Sequence, residues 1–163
     1  MTETTFMGLM NLHDAFLNAS LQKKCMDAAP LEANVQTFHI SDRARFERCW
    51  LAFLYVVFEA WQAPQMASIR AYIGSLVATA ELDATIVEGE QHGYLEKLRE
   101  ARHYMCHRDR RDYWNDGRLA PVGGLDFNKR LHDAFGRTLL KALHAHEQRT
   151  PASKRADDGD SAV

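Results

Sequence analysis

Apolar residues recur at three- and four-residue steps along most of this chain, the spacing that gathers side chains on one face of a helix. Phe6, Leu9, Met10, His13, Phe16, Leu17 and Leu21 form such an edge and predict a first helix over residues 3–27, with Asn11, Asp14, Asn18 and Gln22 on the other side. His13 falls within the apolar edge and reads as a satisfied core or interface histidine. A second helix is predicted over residues 42–62, opened by Ser41 or Asp42 as a cap for its free amides. Phe46, Trp50, Phe53, Leu54, Val57 and Trp61 make one face of it, and Leu51, Tyr55, Val56 and Phe58 widen that face. Such breadth implies burial on more than one side, and aromatic residues at this spacing serve core packing.

Pro64 suits the first turn of a third helix, whose inward positions are Met66, Ile69, Tyr72, Ile73, Leu76 and Val77, with Gly74 and Ser75 allowing close packing. The pattern then drifts through Leu82, Ile86 and Val87 to Gly89, which predicts one long bent helix or a helix with a short follower. A further helix over residues 91–109 presents Tyr94, Leu98, Ala101 and Met105 as one narrow stripe. Asn115-Asp116-Gly117, Pro121 and Gly123-Gly124 punctuate a loop. The last helix, over 127–147 with Asp126 as its cap, carries Phe127, Leu131, Phe135, Leu139 and Leu143 on its core edge. Its three histidines, His132, His144 and His146, have no partner by spacing. The fold class expected is therefore all-α, an antiparallel bundle of about five helices over residues 1–147, followed by a disordered polar tail over 148–163. Ala28 to Ile40, with Pro30 and no periodicity, reads as a connector.

Composition narrows the function. A chain of 163 residues with 46% hydrophobic and 26% charged residues can bury one sizeable core. Its net charge of −2 argues against a general nucleic-acid coating protein, so any RNA contact must be local. The cluster Arg99, Arg102, Arg108, Arg110, Arg111 and Arg118 supplies such a patch, offset in part by Glu96, Glu100, Asp109 and Asp112. Three scattered cysteines, Cys25, Cys49 and Cys106, indicate no disulfide framework and fit a reducing compartment. No signal peptide is evident, and the ten charge-free residues from Cys49 to Phe58 fall short of a membrane span. A cytoplasmic location with no membrane partner is the expectation.

The chemistry concentrates in Leu98-Arg99-Glu100-Ala101-Arg102-His103-Tyr104-Met105-Cys106-His107-Arg108-Asp109-Arg110-Arg111. Arg102 lies on the flank of the buried stripe, and His107, five residues on, points about 140° away at 3.6 residues per turn. For both to serve one pocket, either the helix loosens near His107 or a second copy of the domain supplies a wall. Imidazole titrates near neutrality and can move a proton to or from a ribose hydroxyl. Arginine presents a fork of donors that fits phosphate oxygens and the charge of a pentacoordinate transition state.

Arg102 and His107, with the polar His103 between them, reproduce an R-x4-6-H signature, and the chain resembles the HEPN superfamily over roughly residues 3–147. The late position of the motif helix and the Gly/Pro loop and closing helix after it match that resemblance. His103 after the arginine and Asp109 two places beyond the histidine depart from the Asn and Tyr of many HEPN toxins, so the resemblance is to the superfamily and to no subfamily. It implies a metal-independent endoribonuclease with a toxin or defence role, leaving a 2′,3′-cyclic phosphate at a dimer cleft. The implied catalytic residues are Arg102 for phosphate and His107 for proton transfer, with His103 beside them. Tyr104, Arg108, Arg111 and Trp114 would bind substrate, Trp114 alternatively covering the end of the bundle. RNA, a second copy of the chain, and an antitoxin or nucleotidyltransferase are the implied partners, with no cofactor and no metal.

Two other readings use the same residues. His103 and His107 are four apart, a spacing that binds metals, and Glu100-Ala101-Arg102-His103 resembles half of a di-iron motif whose second Glu-x-x-His is missing here. The alternative to an enzyme is a non-catalytic HEPN-like helical module that binds a protein or RNA.

Overall fold

Six α-helices and one 3-10 turn make up the residues that the computed structural model describes, 3–29, 42–106 and 125–149, and no strand occurs among them. The helices are α1 (Glu3–Ala28), α2 (Asp42–Gln62), α3 (Ala67–Leu76), α4 (Ala80–Gln91), α5 (Tyr94–Cys106) and α6 (Leu125–Arg149), with the 3-10 turn at Pro64–Met66. The helix expected over 42–62 has these bounds in the structure, and α1 runs one residue past its expected end. Asp126 lies inside the first turn of α6, where its charge meets the positive end of the helix dipole. Helix α6 runs through Gln148 and Arg149, which the sequence pattern assigns to the disordered tail. Expectations for the connector after Ala29, for Ser41, for the loop before α6 and for the tail beyond Arg149 lie outside the described residues.

The drifting pattern after Pro64 resolves into separate helices. Val77 takes an extended conformation (φ −144°, ψ 155°), which ends α3. The hydroxyl of Thr79 then donates to Asp83 at 2.7 Å as α4 begins, and Glu81 and Asp83 place negative charge in its first turn. Gly93 closes α4 with φ +68°, a left-handed conformation that glycine adopts at no steric cost, and so lets α5 fold back. Arginines add side-chain donors to carbonyls near two helix ends. Arg43 donates to the carbonyl of Met26 at 3.3 Å, and Arg70 donates to those of Trp61 and Ala63.

Antiparallel packing joins α1 to α2, α1 to α6 and α4 to α6. Phe6 stacks on His146 and Ser20 meets His132, so α1 and α6 run in opposite directions. Glu81–Arg137 and Glu88–Arg130 tie α4 to α6 in the same sense. The short α3 is the exception: Tyr72 contacts His146 and Ser75 contacts Arg149, which lays it beside the last turns of α6 in the same direction. At the centre lie the fully buried Trp50, Leu54, Phe127, Leu131, Phe135 and Leu139, with Leu9, Leu12 and Met26 of α1 and Leu82 and Leu98 closing the sides. Each such side chain contributes about 1.5–3 kcal/mol by leaving water.

Several inward assignments need correcting. In α1 the buried line runs through Leu9, Leu12, Phe16, Ala19 and Met26, whereas Leu17 and Leu21 are 48% and 55% exposed. The helix carries apolar residues on two faces, and packing on α2 and α6 selects the one led by Leu12. Phe53 on α2 and Val87 on α4 are likewise exposed. Among the described residues no hydrogen-bond partner reaches either buried ring nitrogen of His13. Close packing at glycine occurs at Gly8 against Ile69 and at Gly89 against Phe127 and Leu95, while Gly74 faces open space.

Candidate functional site

Helix α5 buries Leu95, Leu98 and Ala101 against the core, and Tyr94 tilts over Phe127 with ring centroids 4.8 Å apart. That stripe fixes the rotation of the helix and leaves the next residue, Arg102, on its flank. Its guanidinium reaches across to α2, where Nη1 lies 3.0 and 3.2 Å from the two carboxylate oxygens of Glu59. Carbon Cζ of Arg102 also sits 5.9 Å from the centroid of the Tyr55 ring, within cation–π range. Tyr55 and Glu59 are four residues apart on α2, so one helical turn presents both to α5.

Burial pushes the Tyr55 phenol above its ordinary pKa, and the Glu59 carboxylate adds to that rise while Arg99 and Arg102 oppose it. Tyr55 is therefore a neutral hydroxyl at physiological pH. Arg99 pairs with Glu96 at 3.0 Å on the outer side of α5. Among the described residues the α2–α5 face is thus a mosaic of two arginines and two glutamates, while Arg108, Arg110, Arg111 and Arg118 lie outside them. The Arg102 and Glu59 side chains are 40% and 50% exposed, and an ion pair so placed is worth no more than about 1 kcal/mol. An incoming phosphate, with more charge than a single carboxylate, can take the arginine over at small cost.

His103, the next residue, is exposed at the described end of α5 and diverges by about 100° from Arg102 around the helix. Tyr104 follows on the same helix. The expectations for His107, Arg108, Arg111 and Trp114 lie outside the described residues. Among the described residues no group of three His, Cys, Asp or Glu side chains is placed to hold a metal, and no helix is long and apolar enough to cross a membrane.

The structure brings to Arg102 two residues that spacing along the chain did not mark, Glu59 and Tyr55. A signal was present in the form of Glu59, an acidic residue interrupting the most apolar stretch of the sequence. The histidines of α6 were also read as partnerless, and they are not. His144 bonds Gln148 one turn on at 2.8 Å, His146 meets the Tyr72 hydroxyl at 2.6 Å, and His132 meets Ser20 at 3.1 Å. Only the first of these was within reach of helical spacing. No family model matches this chain, and no curated protein or solved structure matches it.

Proposed function

We propose that this chain is a HEPN-like helical domain that cleaves RNA without a metal, Arg102 gripping the scissile phosphate and His107 transferring protons. The observation that carries the reading is the state of Arg102: a half-exposed guanidinium at the edge of the α2–α5 seam, held among the described residues by a surface carboxylate and an aromatic face. The R-x4-6-H spacing supplies the second group, and the all-helical architecture is compatible with such a domain. His107 needs a shared groove with Arg102. A second copy of the chain is the proposed source of the missing wall, and single-stranded RNA the proposed substrate.

The test is cleavage of single-stranded RNA in excess chelator. Cutting should persist and leave 2′,3′-cyclic phosphate ends, and Arg102→Ala and His107→Ala should each reduce it by about 10²-fold or more with helicity unchanged. Glu59→Gln should tighten RNA binding by no more than about fivefold, the amount by which the carboxylate competes for Arg102. Activity that disappears with chelator would move the assignment to metal chemistry. Complete inactivity of the unmodified protein would leave a helical binding module, the role in which the mosaic of paired charges is simply a solvated surface.

A further inference from the structure

The seam between α1 and α6 holds a constellation that the nuclease reading does not use. Ser20 Oγ lies 3.1 Å from Nε2 of His132, and the other ring nitrogen, Nδ1, lies 3.4 Å from Oδ1 of Asp133. An acidic oxygen beside Nδ1 favours the tautomer with its proton on that atom, which leaves Nε2 as the acceptor for the serine hydroxyl. We propose that Ser20, His132 and Asp133 form a hydroxyl-activating relay and that Ser20 Oγ is a nucleophile toward small activated esters and phosphonates.

The surroundings fit that role. His132 is 8% exposed, so the base is shielded, while Ser20 is only partly buried. The Phe16 ring lies 4.9 Å from the imidazole and Trp50 approaches it edge-on at 6.0 Å, forming an apolar wall for an acyl group. Burial holds the imidazole below its ordinary pKa, and the Asp133 contact, which acts in the opposite direction, does not cancel this. It is therefore an unprotonated base at neutral pH. Lys23, one turn beyond Ser20 on α1, bears electrostatically on His132 and lowers its pKa. It pairs with Asp27 at 2.7 Å, and its Nζ lies 6.0 Å from the centroid of the Trp50 ring. Trp50 Nε1 is a buried donor in the same wall with no acceptor among the described residues.

In the first step the Ser20 Oγ–C bond forms, the carbonyl electron pair moves to oxygen, and the hydroxyl proton passes to His132 Nε2. Collapse expels the alcohol or phenol, which leaves with that proton, and gives acyl-Ser20. Water then attacks the acyl carbon, His132 accepts its proton and returns one to Ser20 Oγ, and a carboxylic acid is released. A fluorophosphonate follows the first half only, losing fluoride with the proton and leaving a stable phosphonyl-Ser20.

The experiment is covalent labelling of the full chain by an alkyl fluorophosphonate, with peptide mapping and a rate at each pH. Ser20 should be labelled ahead of Ser68 and Ser75, Ser20→Ala should remove the label, and His132→Gln should slow it by at least about tenfold. The rate should rise with pH as His132 loses its proton and level off at neutrality. Asp133→Asn, a change at an exposed carboxylate, should shift that midpoint to lower pH, because Asp133, with a smaller contribution from Asp27 on α1, raises the pKa of His132 against burial and Lys23. An unchanged midpoint in a folded Asp133→Asn protein would remove Asp133 from the relay. Labelling of any of the chain's other serines equal to that of Ser20, or Ser20 labelling that is unchanged in a folded His132→Gln protein, overturns the proposal. Neither outcome bears on RNA cleavage.

Discussion

His132 shows how a single buried group can set the response of the whole chain to pH. Its folded pKa lies below the ordinary 6.5, because burial penalises the charged ring. Below about pH 6.5 the unfolded chain binds a proton that the folded chain resists, so stability is complete above this window and falls as pH drops through it. Denaturant midpoints measured at about pH 7.5 and about pH 5.5 should therefore differ in favour of the higher pH, and His132→Gln should reduce the difference. An unchanged difference in the variant would assign the effect to other groups. Arg102 illustrates the opposite case, a residue whose place follows from the helix alone: with Ala101 buried, the next position must lie on the flank. Its partners could not be read in the same way, since Glu59 stands 43 residues away and is brought to it by the packing of α2 on α5.

Among the helices, boundaries were legible where punctuation was strong and rotation was legible where one face was clearly apolar. In α2 the broad aromatic face left little choice, and Trp50, Leu54, Val57 and Trp61 are buried as the pattern predicts. In α1 two apolar faces compete, and the periodicity favoured Leu17 and Leu21, which the packed helix leaves exposed. Glycines give a measurable contrast between helices. A Cβ at Gly89 would come within 2.5 Å of Phe127 and 2.9 Å of Leu95, whereas one at Gly74 meets nothing within 4 Å. Gly89→Ala should cost about 1–3 kcal/mol through overpacking, and Gly74→Ala should gain about 0.5–1 kcal/mol by lowering the entropy of the unfolded chain. Thermal or denaturant melts of the two variants should move in opposite directions, and a stabilised Gly89→Ala protein would show that α4 stands further from α6 than described.

For the molecule as a whole, the outer edge of the α4–α6 seam rests on two forked ion pairs, Glu88–Arg130 and Glu81–Arg137, both exposed to water. Such pairs contribute little beside the apolar core they border. Arg130→Ala and Arg137→Ala should each lower the denaturant midpoint only slightly at low salt, and the loss should shrink further in about 1 M salt. A larger, salt-independent loss would mean that the arginine stems carry packing between the helices. The same weakness of surface pairs makes Arg102 available to a phosphate, so one principle governs both the seam and the candidate site.

Amphipathic periodicity and turn residues were sufficient to specify an all-helical chain, the bounds of α2, and the flank position of Arg102, because these depend on neighbours within a turn or two. Helix rotation in α1, the split between α3 and α4, and the partners of His132, His146 and Arg102 depend on which surfaces meet after folding. Ser20 and His132 stand 112 residues apart and carry no shared spacing, so nothing along the chain couples them. Their approach is set by Phe16 filling the space over Gly136, where a Cβ would stand 2.9 Å from the Phe16 ring, and thus by core packing that only the assembled helices create.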